Sequence, residues 1–436
     1  MTELGPSPLA AGERNLSVDE ARAAIAAALR PLPRSASGIV PLAEAAGRVL
    51  AADLISPIDV PAHDNSAMDG YAFAGIALRA DAPTVLQAAG TVYAGRPFEG
   101  TVAAGHCVRI MTGAVMPAGA DTVVPLELLQ MPVQGDPGGA LVHIPPGVIK
   151  PGENRRKRGE DLAMGRPALL AGRVLRPADL GLAASLGQTT LCMMRPLKVA
   201  LFSTGDEVVE PGTPLPPGCI YDSNRFALGA AVRRLGIEVV DLGLVRDDPQ
   251  ALAEIVARAL READVVITSG GVSAGDADYT RDILARHGDI SFWKVAMRPG
   301  RPFAFGPLRR ADAATPSWLF ALPGNPVAAL VTFYAFVREA LLALAGATPT
   351  PLPVLSARST VAIRKRPGRT EFQRAIVEPA ADADGRIGWQ VRLFGSQGAG
   401  VLRSMSEANA LVVLGHAQGS VAVGEAVPVW LFDGLT

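Results

Sequence analysis

The feature that most constrains the fold is an alternation of strand-like and helix-like runs between residues 196 and 346. The strand-like runs are short and almost continuously apolar, whereas the runs between them repeat apolar residues with helical spacing. Such strands occur in parallel sheets whose two faces are covered by helices. We therefore predict a three-layer α/β/α domain over residues 193–346. The predicted strands are LKVALFS, IEVVDLGLV, ADVVITS, FAFG and WLFALPG, and the predicted helices are SNRFALGAAVRRLG, PQALAEIVARALREA, DYTRDILARHG and NPVAALVTFYAFVREALLALAG.

Outside this region we expect further domains, because 436 residues exceed what one hydrophobic core usually organises. Residues 47–147 contain short β-like runs separated by glycine and proline, which indicates a compact β-rich domain. We expect it to be inserted into an elongated, partly helical domain formed by residues 16–46 and 148–192. Residues 350–436 return to short β-like runs and predict a small β-barrel. The expected fold class is multidomain, α/β plus all-β.

Helix signals also occur outside the α/β/α region. Ser17 and Glu20 have the spacing of a capping box, and the run ARAAIAAALR then predicts a helix that stops at Pro31. LAEAAGRVL and PADLGLAASLG predict two further short helices. The N-terminal part of the chain is therefore expected to be partly helical.

The composition argues against several classes of function. The formal net charge is −1, whereas general nucleic-acid binding requires a positive field. Cys107, Cys192 and Cys219 are far apart and form no CxxC pair, so we expect neither a disulfide scaffold nor a zinc site. The N-terminus lacks the pattern of a signal peptide, and no apolar run is expected to approach the ~20 residues that span a bilayer. These features favour a soluble, cytoplasmic protein that binds neither nucleic acid nor membrane.

Three predicted strands of the α/β/α domain end in glycine-containing loops. In an open parallel sheet, ligands bind beyond the carboxyl ends of the strands. Glycine turns there allow backbone N–H groups to surround an anion, and a helix N-terminus favours phosphate. The sequence has neither GxxxxGKS/T nor GxGxxG, so neither a Walker loop nor a dinucleotide fingerprint is present. The loops are LFSTGDEV, ITSGGVSAGDADYT and ALPGNPVAA, and their expected substrate-binding residues are Ser203, Thr204, Gly205, Asp206, Ser269, Gly270, Gly271, Ser273, Gly275, Asp276, Pro323, Gly324, Asn325 and Pro326.

Carboxylates occur in the same loops and after the strand IEVVDLGLV. Beside a phosphate they would repel it unless a cation lay between them, and Mg²⁺ binds one or two carboxylates together with phosphate oxygens. We therefore expect a Mg²⁺ site, with Glu207, Asp276 and Asp278 as its candidate ligands. The alternative is that some of these acids are helix N-caps, which applies to Asp248 and Asp278.

Basic residues predict the other side of an anion site. Lys294, Arg298 and Arg301 stand close together in KVAMRPGRPFAFG, and guanidinium groups match the oxygens of phosphates and tetrahedral oxyanions. Arg369 and Arg374 in GRTEFQRA are further candidate anion ligands. The alternative for KVAMRPGRPFAFG is an exposed, solvated loop. Together, the glycines, acids and arginines predict a phosphate-bearing substrate.

Seven motifs follow one another between about residue 16 and the C-terminus: SAMDGYA, RIMTGAVMP, NRRKRGEDL, STGDEV, TSGGVSAGDADYT, RPGRPFAFG and LPGNPVAA. In these motifs the chain resembles the molybdopterin molybdenumtransferase family, of the MoeA type and the gephyrin E domain. The resemblance implies a transferase that inserts molybdate into adenylylated molybdopterin, releases AMP and forms the molybdenum cofactor, with Mg²⁺ assisting. It also implies a homodimer, with molybdopterin adenylyltransferase and molybdoenzyme-maturation proteins as further protein partners.

The resemblance assigns roles to residues that local chemistry does not single out. It implies that Asp69, Thr112 and Asp161 of the N-terminal domains face the sheet domain of the partner copy. It also implies that Pro323 and Pro326 shape the third loop. Ser396, in GSQGAG, resembles a residue of a family loop and is a further anion-ligand candidate. The catalytic residues implied by the motifs are Asp69, Thr112, Asp161, Glu207, Asp247 or Asp248, Asp278 and Lys294.

The sequence departs from the family at the basic motif and after the third loop. The family often has lysine at the positions of Arg298 and Arg301, and serine at the position of Ala328. Arginine keeps the positive charge but changes the geometry, and the missing hydroxyl could remove an oxyanion contact. The alternative functions are molybdopterin adenylyltransferase, which the sheet domain alone resembles, and a non-catalytic molybdopterin-binding scaffold. The additional terminal domains argue against the first alternative, and the retained acids argue against the second.

Overall fold

The computed structural model of the chain describes residues 15–31, 33, 36–129, 138–271, 286–310, 315–350, 352–381 and 385–434. The α-helices in these ranges are α1 (Val18–Ala28), α2 (Pro177–Ser185), α3 (Asn224–Arg234), α4 (Pro249–Glu262), α5 (Pro326–Thr332), α6 (Arg338–Leu344) and α7 (Arg403–Glu407). A π-helical segment, Phe333–Val337, joins α5 to α6. Short 3₁₀ helices lie at Leu42–Glu44, Gly75–Ala77, Leu126–Leu128 and Phe432–Gly434.

The strands are numbered along the described part of the chain. They are β1 (Asn15–Leu16), β2 (Ser37–Pro41), β3 (Leu54–Ile55), β4 (Asn65–Ser66), β5 (Gly70–Phe73), β6 (Thr84–Val92), β7 (His106–Ile110), β8 (Thr122–Pro125), β9 (Gly138–Ile144), β10 (Arg155–Arg156), β11 (Pro167–Leu169), β12 (Thr190–Met194), β13 (Lys198–Thr204), β14 (Val208–Val209), β15 (Ile220–Tyr221), β16 (Glu238–Val245), β17 (Val265–Ser269), β18 (Ser291–Val295), β19 (Met297–Arg298), β20 (Pro302–Leu308), β21 (Ser317–Leu322), β22 (Leu355–Ser359), β23 (Thr370–Ala381), β24 (Ile387–Leu393), β25 (Ala410–Leu414) and β26 (Ala426–Leu431).

The described residues form two compact units. The first lies within residues 1–51, 172–176 and 192–436, and the second within 52–171 and 177–191. The second unit contains a five-stranded sheet in the order β8-β5-β7-β6-β9, which confirms that this region is β-rich. The finer division into four domains stays a prediction.

A seven-stranded sheet in the first unit has the order β1-β18-β20-β21-β17-β13-β16. β16, β13, β17 and β21 are parallel, but β20 is antiparallel to both β21 and β18. The prediction of a parallel sheet is therefore correct for four strands and wrong for FAFG, which lies in β20. Eight residues separate β20 from β21, fewer than the dozen or so that a parallel crossover requires. β18 lies outside the predicted strands.

Neighbouring residues of the central strands enter two different cores. Leu201 and Ile267 pack in the larger core, to which α1, α3 and α5 contribute, whereas Phe202 and Val266 pack in a second core with α4. Because side chains alternate across a strand, helices must cover both faces of the sheet. Burial of each large apolar side chain contributes about 1.5–3 kcal/mol, so the two cores together fix the sheet. The predicted three-layer α/β/α architecture is confirmed.

The C-terminal strands close into a barrel, as predicted. Their order is β23-β24-β22-β26-β25, and β25 pairs again with β23 to close the ring. β19 adds to this barrel because it pairs in parallel with β23, with Met297 opposite Thr370 and Arg298 opposite Glu371. Since β19 directly follows β18 of the large sheet, this pairing places Arg298 where the sheet meets the barrel.

The helix signals outside the α/β/α region are confirmed only in part. Glu20 N donates to Ser17 Oγ (3.2 Å) and Ser17 N donates to Glu20 Oε2 (2.7 Å), which is the predicted capping box. The helix ends at Ala28, two residues before the end of ARAAIAAALR. The helix predicted in LAEAAGRVL is wrong, since only Leu42–Glu44 form a 3₁₀ turn. Gly47 has a φ of 72°, a left-handed conformation that an α-helix cannot contain.

The long apolar segment after the third glycine loop is a core element. Pro326–Leu344 is long and apolar enough to cross a membrane, with a mean hydropathy of 1.8, so the expectation that no apolar run approaches that length is wrong. However, 72% of the segment is buried inside the protein, where Phe333, Phe336 and Leu341 join the larger core. The helix predicted in DYTRDILARHG lies mostly outside the described residues.

A partly buried ion pair anchors the start of β17. Arg195 donates from Nη1 and Nη2 to the two Asp264 oxygens at 2.8 and 2.7 Å, and Lys198 N donates to Asp264 Oδ2 at 3.0 Å. Burial alone would raise the pKa of Asp264, but the hydrogen bonds from Arg195 and Lys198 outweigh it and leave this pKa below its ordinary value.

We expect Asp264 to make the free energy of unfolding depend on pH in the acid range. A depressed folded-state pKa contributes stability above the unfolded value of about 3.9 and loses it as the pH falls through the folded value. Asp264→Asn should therefore lower the free energy of unfolding at pH 7 by about 1–3 kcal/mol, with the difference shrinking at acid pH. Urea titrations between neutral and acid pH measure this. Glu262→Gln, which alters an exposed pair with Arg258, is the control, and an equal loss in both variants would contradict the assignment.

Candidate functional site

A cleft of about 890 Å³ lies at the carboxyl ends of three parallel strands. Each strand contributes its carboxyl end or the loop that follows it: Ser203–Gly205 at the end of β13, Ser269–Gly271 at the end of β17 and Pro323–Pro326 after β21. This is the edge at which ligands bind to open α/β sheets. The segment Met297–Pro302 and part of the barrel complete the wall. The lining residues from the barrel are Arg369, Gln397, Ala399, Gly400 and Leu402.

Gly270 shows why the second loop requires glycine. Its φ is 97°, and a Cβ atom there would lie 2.5 Å from the backbone oxygen of Thr204 in the first loop. Its N–H donates to the carbonyl of Leu322, which precedes the third loop, at 3.1 Å. The backbones of the three loops are therefore packed too closely for a side chain at this position.

Two polar residues, Asp222 and Asn224, hold the loops in place, although the sequence analysis did not single them out. Ser203 Oγ donates to the buried Asp222 carboxylate at 3.1 Å. Asn224 Nδ2 donates to Ser269 Oγ at 2.7 Å and to the Gly324 carbonyl at 2.6 Å. Because a carbonyl can only accept, this contact fixes the orientation of the Asn224 amide. Both residues lie in the string YDSN at the start of α3, a pattern that by itself indicates only the beginning of a helix.

Arg225, on the first turn of α3, supports this wall from behind. Its guanidinium forms ion pairs with Asp222 (3.0 Å), Asp241 (2.6 Å) and Glu210. Burial alone would lower the pKa of Arg225, but the bonds from Asp241, Glu210 and Asp222 outweigh it and raise that pKa above its ordinary value. The Arg225 side chain is 6% exposed and that of Asp222 is 2% exposed, so this pair is buried whereas Glu210 and Asp241 are partly solvated.

Two buried oxygens of cleft residues have no hydrogen-bond partner among the residues that the structure describes. They are Thr204 Oγ1 and Asn224 Oδ1. Buried polar atoms are usually paired, because an unpaired one costs about 1–3 kcal/mol. A ligand or ion that brought donors or positive charge into the cleft would offset this cost.

Three acidic residues line the cleft: Glu207 and Asp247, which are exposed, and Asp222, which is buried and paired with Arg225. Asp206 is not among the lining residues, and its Oδ1 accepts from Asp247 N at 3.3 Å. Asp248 caps α4 by accepting from Ala251 N at 2.8 Å, so the capping alternative holds for Asp248. Among the described residues, no group of three His, Cys, Asp or Glu could hold a metal ion. Ser273, Gly275, Asp276 and Asp278 lie outside the described residues.

The basic residues of the cleft are Arg298, Arg301 and Arg369. Arg369 Nε also donates to Glu371 Oε1 at 2.8 Å, which reduces its positive field. Lys294 is exposed on β18 opposite Pro302 and is not among the lining residues, so the structure does not bring it to this cleft. Ala328, where the family often has serine, lines the cleft.

Two further anion-ligand candidates do not line the cleft. The side chain of Ser396 is exposed outside it, whereas the adjacent Gln397 is a lining residue. Arg374 is buried behind the wall, with 1% of its surface exposed, and its guanidinium donates to protein groups. A direct contact between Arg374 and an anion stays a prediction.

Asp69, Thr112 and Asp161 belong to the second compact unit, whereas the cleft residues belong to the first. Thr112 donates to Asp69 Oδ1 from both N and Oγ1, each at 2.7 Å. The bond from the backbone N–H, followed by the one from the hydroxyl, lowers the pKa of Asp69. Asp161 is exposed, and its backbone N–H donates to Val60 O at 3.1 Å. Asp69 is thus an exposed, oriented carboxylate.

We expect Thr112→Val to raise the pKa of Asp69 towards its ordinary value, because the hydroxyl bond is lost while the backbone bond remains. Titration of the side-chain carboxyl carbons by NMR measures this change. Asp59, whose pKa is lowered by bonds from Met164 and Arg158, is the internal reference and should not move. An unchanged titration of Asp69 would show that the Thr112 hydroxyl does not orient it.

Comparisons with known proteins cover nearly the whole chain. Three family models match it: the MoeA N-terminal region (domain I and II) over residues 16–187, a probable molybdopterin binding domain over 200–343, and the MoeA C-terminal region (domain IV) over 356–432. A molybdopterin molybdenumtransferase of Haemophilus influenzae is 41% identical over 96% of this chain and 99% of its own. Molybdopterin molybdenumtransferase 2 of Mycobacterium tuberculosis is 38% identical over 90% of this chain and 94% of its own. The crystal structure of a molybdopterin biosynthesis moeA protein from Pyrococcus horikoshii, 26% identical, superposes with a TM-score of 0.79 over 96% of this chain and 100% of that one.

Proposed function

Because the chain belongs to the molybdopterin molybdenumtransferase (MoeA) family, we propose that it inserts molybdate into adenylylated molybdopterin, releases AMP and so forms the molybdenum cofactor. The observation that carries this proposal is the cleft, in which three loops from parallel strands, two exposed carboxylates and three guanidinium groups line one volume of about 890 Å³. Such a volume is in the usual range for small-molecule sites, about 300–1,000 Å³. Its mixture of charges suits a substrate that carries phosphates.

The glycine loops are proposed to bind the pyrophosphate of the substrate. Gly205, Gly270 and Gly324 leave their backbones open to a close approach, as phosphate-binding turns require. Arg298 and Arg301 lie on the same wall and are proposed to collect molybdate, because guanidinium groups match tetrahedral oxyanions. Held this way, the two reactants meet without a diffusional search, so positioning and charge stabilisation supply most of the catalysis.

Mg²⁺ fits the acidic side of this cleft. Glu207 and Asp247 provide two carboxylates on its wall, and the buried Thr204 Oγ1 has no partner there. This donor set agrees with the preference of Mg²⁺ for one or two carboxylates plus phosphate oxygens. We propose Glu207 and Asp247 as residues that hold the ion, with Asp276 and Asp278 as further candidates. Bound Mg²⁺ would neutralise charge on the phosphate oxygens.

A direct assay tests the function. Purified protein is mixed with adenylylated molybdopterin, Mg²⁺ and molybdate, and AMP is quantified by chromatography. We expect AMP release that depends on molybdate. ATP consumption with free molybdopterin, without molybdate-dependent AMP release, would instead identify an adenylyltransferase. Absence of both reactions, with binding retained in a thermal melt, would indicate a scaffold.

We also propose that the protein is a cytoplasmic homodimer. The support is the family resemblance, in which acids of the N-terminal domains face the sheet domain of the other copy. Asp69, Thr112 and Asp161 are the residues concerned, with Lys294 as a basic residue of the same family site. A molybdopterin adenylyltransferase that supplies the substrate and maturation proteins that accept the product are the proposed protein partners.

We expect two inactive variants to complement each other if the site is shared between copies. Asp69→Ala removes an acid of one unit, and Glu207→Ala removes an acid of the other. When both variants are unfolded and refolded together, or co-expressed, mixed dimers should recover about a quarter of the wild-type AMP release, because half of the dimers are mixed and each has one intact site. Each variant alone is the control. No recovery, in dimers shown to be mixed by mass spectrometry, would contradict a shared site.

A further inference from the structure

Arg374 is a buried guanidinium without an acidic partner in the described part of the chain. It lies on β23 and is 1% exposed, and no carboxylate of the described residues forms an ion pair with it. Burial and then the nearby charge of Arg298 lower the pKa of Arg374 to about 10, so it stays protonated at neutral pH. An isolated buried charge is costly, so its neighbours should show what it does there.

The Arg374 side chain bonds to one loop of the barrel and to the helix after it. Nη2 donates to the carbonyls of Ser396 (3.2 Å) and Gly398 (3.0 Å), and Nε donates to Ser404 Oγ (3.1 Å). Its backbone is tied to the same loop, because Arg374 N donates to Gln397 Oε1 (2.9 Å) and Gln397 Nε2 donates back to Arg374 O (2.9 Å). A planar guanidinium can hold several acceptors at fixed angles, which an ammonium cannot.

The loop that Arg374 holds is a wall of the cleft. Gln397, Ala399 and Gly400 all line it. The Ala399 carbonyl accepts from Val327 N at 3.0 Å, so the loop is also fixed to the start of α5, directly after the third glycine loop. Arg374 therefore connects the barrel core to the phosphate-binding edge of the sheet through one short loop.

We propose that Arg374 is a positioning residue for the oxyanion: it holds the loop Gln397–Gly400 against α5 and adds buried positive charge behind Arg298. The inference rests on the proposed function of the cleft. An oxyanion bound at Arg298 also offsets the repulsion between the two guanidinium groups, so the unpaired charge of Arg374 favours the occupied state. Arg374 contacts protein groups only, and its effect on the anion acts through the loop and the field.

Arg374→Lys tests the proposal because it keeps the charge but cannot hold both carbonyls and Ser404 together. We expect the KM for molybdate to rise between about tenfold and 100-fold, while kcat changes much less. Calorimetric titration with molybdate alone should show a matching rise in Kd. A urea titration of each variant verifies folding. Ser404 does not line the cleft, and its hydroxyl accepts the hydrogen bond from Arg374 Nε. Ser404→Ala removes this acceptor and should raise the Kd for molybdate by a smaller factor than Arg374→Lys does.

Arg22→Lys is the matched control. Arg22 is half-buried, its Nε donates to the Ala335 carbonyl at 2.9 Å, and it does not line the cleft. The Arg22→Lys substitution should leave the KM and Kd for molybdate unchanged. An unchanged Kd in folded Arg374→Lys and Ser404→Ala would overturn the inference, as would a rise of equal size in Arg22→Lys. If the wild-type protein binds molybdate but releases no AMP, the proposed function fails while the Kd values still test the role of Arg374.

Discussion

Arg225→Met is expected to lower the free energy of unfolding by about 3–5 kcal/mol, because it leaves the buried Asp222 carboxylate without its charge partner. Asp222 is 2% exposed and cannot be solvated in place, whereas Glu210 and Asp241, 47% and 41% exposed, can turn towards water. Methionine occupies a similar volume, so little of the loss should come from a cavity. Urea denaturation followed by circular dichroism measures the change.

Two further variants separate charge from packing at Arg225. Arg258→Met removes an exposed i,i+4 pair with Glu262 and should cost less than about 1 kcal/mol. Adding Asp222→Asn to Arg225→Met removes the stranded charge and should recover part of the lost stability. If the double variant is no more stable than Arg225→Met, the loss does not come from an uncompensated carboxylate.

Asp247→Asn is expected to reduce kcat/KM for molybdate-dependent AMP release by about 10²-fold or more, the usual cost of removing one electrostatic group from an active site. Its carboxylate lines the cleft and is proposed to hold Mg²⁺ with Glu207. The amide keeps the size of the side chain and removes the charge. The reaction is measured over a range of Mg²⁺ concentrations, and part of the loss should be recovered at high Mg²⁺.

The adjacent carboxylate provides the control for Asp247. Asp248 is the N-cap of α4, and asparagine caps helices as well as aspartate does, so Asp248→Asn should keep activity within about twofold of wild type. The sequence motif leaves open which of these two acids takes part in the reaction, and the structure assigns Asp248 to the helix. Equal losses in both variants would contradict a specific role for Asp247.

Local patterns predicted most elements of the sheet domain. The strands LKVALFS, ADVVITS and WLFALPG are almost wholly apolar because both their faces are buried, so their character is visible in any short window. The capping box at Ser17 and the glycine loops after three strands are similarly local. LAEAAGRVL shows the limit, since its apolar spacing suits a helix but Gly47 takes a left-handed φ of 72°.

Which residues belong to the site depended on contacts between segments that are distant in the sequence. Asn224 and Asp222 read as ordinary residues at a helix start, and only the fold brings Asn224 to both Ser269 and Gly324. Arg374 lies in a motif, GRTEFQRA, that predicts anion ligands. In the closed barrel, however, its guanidinium donates to the Gly398 carbonyl.

By itself, the sequence determined which segments become strands, where glycine loops stand at their carboxyl ends, and which family the motifs resemble. Tertiary structure alone decided that β20 runs antiparallel, that Lys294 and Ser396 stay outside the cleft, and that Asp247 rather than Asp248 lines it. The physical reason is the range of the interactions. Burial periodicity and turn chemistry act over a few residues, whereas strand register and barrel closure join groups that are far apart along the chain.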